Sequence, residues 1–231
     1  MDHITETLEN RMSDSKTPRR NFLTALATVT GATVLAPLLS RGELGAATVP
    51  DGSWDLSWLG QIKGKHRQLF DVVRKIEDIP GPLHKVNTWL NAWRDVYHLE
   101  YPQVSSVLAI AGGGFPINVN DAIWAKYKVA EKWQISDGPD KSPDHNVFLD
   151  APATETKRAS VRALQARGTI FTQCNNALTA IAKEFALATH DSFDNVYAEL
   201  VAGLNPGVKL VPAATMLIGL AQEHGCAYES V

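Results

Sequence analysis

Gly168-Thr169-Ile170-Phe171-Thr172-Gln173-Cys174-Asn175-Asn176-Ala177-Leu178 is the stretch on which the reading of the whole chain turns. Its first part is β-branched and aromatic, without charge or proline, and reads as a strand over 169–174. Asn175-Asn176 then opens a helix that carries Leu178, Ile181 and Phe185 at helical spacing. Gly168 ends an earlier helix expected from about Thr154 to Arg167, with Val161 and Leu164 inward. Helix, strand and helix therefore follow one another with almost no linking residues.

The same alternation continues in both directions. Towards the N-terminus, Ser105 to Ala111 is a short apolar run of the kind expected for a strand covered on both faces, and it ends in Gly112-Gly113-Gly114. Asn118 or Asn120 then caps a helix with Ile123, Trp124, Tyr127 and Ala130 inward. Before these, His66 to Arg74 alternates in strand fashion around Leu69, Phe70, Val72 and Val73. Pro82 next opens a helix whose buried stripe is Leu83, Val86, Leu90, Trp93 and Tyr97. Towards the C-terminus, a helix entered at Asp191 or Ser192 buries Val196, Leu200, Val201 and Leu204. Pro206-Gly207 makes a turn, and Val208–Val211 is a strand. Ala214–His224 is a helix ended by Gly225, and Cys226–Tyr228 a last short strand. Strands and helices in this order imply an α/β fold, a parallel sheet with helices on both faces. The stretch Ser136–Pro152 is a loop of unusual length that either covers a site or is an insertion.

The first 47 residues read differently. Arg19-Arg20-Asn21-Phe22-Leu23 precedes a charge-free segment, Leu23 to Leu39, that is too short and too rich in Thr and Gly for a stable membrane span. Arg19, Arg20, Phe22 and Leu23 resemble a twin-arginine (Tat) export signal, which the translocase reads as an address. Small residues at Gly45-Ala46-Ala47 suit cleavage after Ala47. The expected organisation is a signal peptide over 1–47, a lead-in linker over 48–65 and one α/β domain over 66–231, delivered to the periplasm. An uncut leader would instead make a membrane-tethered accessory protein.

Composition narrows the function classes. The chain has 22 basic and 25 acidic residues, a net charge of −3, so no basic surface points to nucleic acid. Two cysteines exclude a disulfide-rich scaffold or a Cys-based zinc finger, and the seven histidines include no metal-binding pair. No GxSxG, Walker, CxxC or HExxH motif occurs. Neither a metal nor an organic cofactor is expected.

What remains is one thiol. Cys174 falls at the carboxyl end of its strand, where α/β sheets form their sites, and at a helix start, whose amides stabilise an adjacent anion. That placement suits a nucleophile or sulfur carrier; a small buried apolar side chain suits it equally. Cys226 begins its strand and so belongs to the opposite edge of the sheet, too far away for a disulfide with Cys174. Gly112, Gly113 and Gly114, together with Asn175 and Asn176, could line a ligand cleft, although a tight strand-to-helix turn explains the glycines more simply.

Arg167–Leu178, Pro206–Pro212 and Ala221–Tyr228 together resemble the DsrE/DsrF-like family of sulfur-metabolism proteins, and Asn120–Lys128 is similar to a segment of its Tat-exported branch. The resemblance spans roughly 66–231. It implies a flavodoxin-like three-layer sandwich with about five mostly parallel strands, homo-oligomers, and a cysteine that relays sulfane sulfur as a persulfide between donor and acceptor proteins. Cys174 is the residue that lands on the family's cysteine motif. The expected activity is at most that of a sulfurtransferase-like protein. The alternative is a non-catalytic binding or assembly module that uses the same cleft or its helix faces.

Overall fold

The computed structural model describes residues 54–76, 81–136, 142–150 and 159–231. The leader expected over 1–47 lies outside the described residues, as do 137–141 and 151–158 of the long loop and the helix expected after it.

Five strands form one sheet: β1 (His66–Val72), β2 (Val104–Ile110), β3 (Ile170–Cys174), β4 (Lys209–Val211) and β5 (Ala227–Ser230). Their order is β4-β3-β2-β1-β5 and every neighbouring pair is parallel. Among the described residues eight helices accompany them. They are α1 (Pro82–Tyr97), α2 (Phe115–Asn118), α3 (Asp121–Lys126), α4 (Val129–Trp133), α5 (Val161–Ala166), α6 (Asn175–Thr189), α7 (Phe193–Ala202) and α8 (Ala214–Glu223). This is the α/β, flavodoxin-like three-layer architecture. Among the described residues no helix is long and apolar enough to cross a membrane.

Connection handedness accounts for the layers. A parallel crossover is right-handed, so crossovers that step along the sheet in one direction lay their helices on one face. The steps β1 to β2 to β3 to β4 all run the same way, and α1 and α6 share one apolar cluster with Phe70, Leu108 and Phe171. The last step returns across the sheet from β4 to β5, and α8 accordingly packs on the other face with Leu69, Val107 and Ile170. That second face carries less helix. Part of its cover comes from a 3-10 turn at Ser57–Gln61, where Trp58, Leu59 and Ile62 are buried, so the described part of the lead-in packs on the sheet.

Several expected details change. The stripe on α1 holds for Leu83, Val86 and Leu90, but Trp93 is only half-buried and Tyr97 is 63% exposed. The last turns of α1 run past the core; Trp93 stacks on His66 at 3.8 Å between ring centroids and Tyr97 leans on Trp93. β1 ends at Val72, leaving Val73 exposed. The helix expected over Ile123 to Ala130 is two, α3 and α4, because Lys128 between them is left-handed (φ 49°), yet all four inward residues are buried. Asn120, not Asn118, is the cap of α3: its side chain accepts from the Ile123 N–H at 3.1 Å. The helix before Gly168 is described only over Val161–Ala166, where Ser160 caps it. In α7 Ser192 is the cap and Val201 and Leu204 are only half-buried.

Gly113 is fixed by close approach. A Cβ there would lie 2.3 Å from the Arg74 carbonyl oxygen and 2.8 Å from the Lys75 nitrogen, both backbone atoms. Gly219, in the middle of α8, has nothing within 4 Å of its would-be Cβ. Gly113→Ala is therefore expected to cost about 2 kcal/mol or more by overpacking. Gly219→Ala is expected to gain up to about 1 kcal/mol from helix propensity. Urea melts of the two variants check the opposite signs.

Candidate functional site at the β3–β4 carboxyl edge

Cys174 ends β3 and stands immediately before α6. Its backbone is extended (φ −68°, ψ 119°), which lets it close the strand ladder opposite Val211 and occupy the position that precedes the first helical turn. α6 is 15 residues long and has no acidic residue in its first turn. The unpaired N–H groups at its head are therefore not neutralised by a local carboxylate.

Topology singles out the same place. From β3 the chain leaves to α6 on one face, and from the adjacent β4 it leaves to α8 on the other. A divergence between neighbouring strands is where open α/β sheets form a crevice outside their carboxyl ends. Cys174 and Val211 are paired at that divergence. The cysteine is 6% exposed, yet it belongs to neither of the two apolar clusters. Cys226 contrasts with it. That residue sits inside the apolar cluster beneath α8, and burial pushes its thiol up to about 11. Both cysteines are free.

The glycine turn is placed close by but is internally committed. A Cβ on Gly112 would come 4.0 Å from the Ala177 Cβ in the first turn of α6. Within the turn, the Phe115 N–H donates to the Gly112 carbonyl and the Ile117 N–H to the Gly114 carbonyl, while Pro116 has no N–H to offer. Few amides are left to cradle an anion, and the close approach of Gly113 to Arg74 explains its glycine as packing. Asn175 is buried, and its side-chain oxygen accepts from the Tyr197 hydroxyl at 2.5 Å, tying α6 to α7. Burial raises the Tyr197 phenol above its usual pKa. Asn176 is exposed.

The sequence pattern did not announce the layer of buried amides beside this edge. The Asn118 side-chain N–H groups donate to the Thr172 carbonyl and to the Gln173 side-chain oxygen, each at 3.0 Å. Gln173 in turn donates to the Cys174 carbonyl at 3.3 Å. Asn205 donates to the Ile117 carbonyl, and Asn146, from the long loop, donates to the carbonyls of Ile117 and Val119. The side-chain oxygens of Asn118 and Asn205 are buried without a hydrogen-bond partner. Single asparagines scattered through turns carry no spacing signal, which is why only Asn118 stood out, and then as a cap. Among the described residues no group of three or more His, Cys, Asp or Glu is placed to hold a metal ion.

Neither a family model nor a curated protein matches the chain. Among solved structures, a protein of unknown function from Methanobacterium thermoautotrophicum aligns at 17% identity with a TM-score of 0.34, over 72% of this chain and all of that one.

The Cys226 thiol offers a pH test. A thiol whose folded pKa is raised keeps its proton longer in the folded state, so folding binds protons between the ordinary value of 9.0 and about 11. Its contribution to stability is complete below that window and is lost as pH rises through it. Denaturant melts between pH 8 and pH 11 should show a shallower alkaline decline for Cys226→Ala than for the parent protein.

Proposed function

We propose that this domain is an exported DsrE-like protein in which Cys174 accepts sulfane sulfur and passes it to a partner thiol. The observation that carries the reading is the position of Cys174 at the point where β3 and β4 send the chain to opposite faces, outside both apolar clusters. A thiol retained only for packing would sit in an apolar cluster, as Cys226 does.

The chemistry needs no outside oxidant. The Cys174 thiolate attacks a sulfane sulfur of a polysulfide, a sulfur–sulfur bond breaks, and the shortened polysulfide leaves with the electron pair and takes up a proton. Cys174 then carries a persulfide. An acceptor thiolate attacks the outer sulfur, the new bond forms on the acceptor, and Cys174 returns to its starting state. The buried position of Cys174 favours a small inorganic donor or a local opening of the edge.

The periplasm as location rests on the Arg19-Arg20-Asn21-Phe22-Leu23 signal, and the Tat translocase is its partner during export. Homo-oligomers follow from the family resemblance, with sulfur donor and acceptor proteins as further partners. A second reading is favoured by the 6% exposure of Cys174: a non-catalytic binding or assembly module whose thiol is structural.

Treatment of the native protein with polysulfide, followed by mass spectrometry of peptides, separates the two. The relay reading expects a gain of about one sulfur atom on Cys174 that a reducing thiol removes. An unmodified Cys174 with an unaltered Cys174→Ser protein would support the binding module. Replacing Arg19 and Arg20 by lysine is expected to abolish export, read by fractionation and immunoblot. Unchanged export would remove the periplasmic assignment.

A further inference from the structure

We propose that the opposite, amino-terminal edge of the sheet holds a second site, one for a small planar monocarboxylate. A cavity of about 530 Å³ opens there, within the size range of ligand pockets, and separate parts of the chain build it. Gln61 comes from the 3-10 turn, Tyr101 from the approach to β2 and Gln165 from α5. Gly168 leads into β3, Gly207 lies in the turn before β4, and Lys209 opens β4. The cavity is at the far end of β3 from Cys174, about 13 Å along a strand of four residue steps.

Its shape is set by glycine and an aromatic ring. Gly168 has φ +83°, and a Cβ there would fall 2.5 Å from the ring carbon Cγ of Tyr101. The ring therefore lies against bare backbone on one side, and Tyr101 is still 42% exposed. Gln165 is locked across the cavity by a hydrogen bond of 2.9 Å from its side-chain nitrogen to the Pro206 carbonyl. A flat wall beside a fixed amide suits a planar guest.

Charge decides the rest. Among the described residues Lys209 is the charged residue of the lining, and no acidic side chain lines the cavity. Its ammonium makes no hydrogen bond or ion pair with any described residue. The carboxylate it acts on is Asp55, held low mainly by its hydrogen bonds from Ser57 and least by Lys209. A cation without a partner among the described residues, in a cavity whose described lining holds no carboxylate, selects an anion. A single ammonium, with no arginine in the lining, matches one negative charge better than a phosphate dianion.

The test uses benzoate as probe, benzamide as its uncharged counterpart and inorganic phosphate as the dianionic one, titrated into the full-length protein and read by amide NMR. Benzoate is expected to shift the Gly168, Thr169 and Gly207 resonances saturably, and benzamide and phosphate to bind about two- to fivefold more weakly, the scale of an exposed ion pair. Lys209→Gln is expected to lose the same factor for benzoate with an unchanged melting temperature, and Tyr101→Ala to weaken benzoate and benzamide alike. Benzamide or phosphate binding as well as benzoate, a Lys209→Gln protein of unaltered affinity, or no saturable shift would each overturn the proposal.

Discussion

The right-handedness of parallel crossovers is the constraint from which this domain's organisation follows. Three steps in one direction place α1 through α7 along one route, and the single return step from β4 to β5 sends α8 to the other face. Adjacent strands β3 and β4 must then part company at their carboxyl ends. The residue at that parting on β3 is Cys174, and since α6 begins at the next residue, no loop intervenes to move the thiol away. Placement of the cysteine is thus a consequence of topology and of the missing loop together.

The two faces of the sheet are unequally covered, and the difference separates the two thiols. On the fuller face Leu178, Ile181 and Phe185 of α6 join Leu83, Val86 and Leu90 of α1 over Phe70, Leu108 and Ile110. The other face has α8 and the 3-10 turn, and there Cys226 is absorbed among Leu69, Leu217 and Ala221. Cys174 belongs to neither cluster, yet at 6% exposure it is as buried as Cys226. Beside it, the carbonyls of Thr172, Ile117 and Val119 are satisfied by the side chains of Asn118, Asn146 and Asn205, a polar layer in which the side-chain oxygens of Asn118 and Asn205 keep no partner of their own. A buried edge built from amides has less apolar surface holding it shut than the core has.

Much of the fold was legible because strand and helix periodicities alternate cleanly. Ser105–Ala111 read as a short apolar run since both faces of β2 are covered, 169–174 as a strand because it is β-branched and aromatic, and Leu178, Ile181 and Phe185 mark their helix by spacing alone. Reading failed where tertiary context overrides local pattern. Tyr97 fits the apolar stripe of α1 but lies past the end of the core it would pack on, and the left-handed Lys128 splits a helix with no glycine or proline to announce it. Cys174 was visible because it ends a strand before a helix. The asparagine layer and the amino-edge cavity were not, because each is assembled from residues far apart in the chain whose meeting depends on the finished sheet.

Persulfide chemistry at Cys174 requires the carboxyl edge to open locally. The direct measurement is the rate at which each cysteine reacts with an alkylating reagent in the folded protein across increasing, sub-denaturing urea. Local opening exposes little surface and is nearly independent of urea, whereas exposure by global unfolding rises steeply with it. The expected result is a flat urea dependence for Cys174 beside a steep one for Cys226. Parallel, steep dependences for both thiols would contradict the account and leave Cys174 as part of the packed structure.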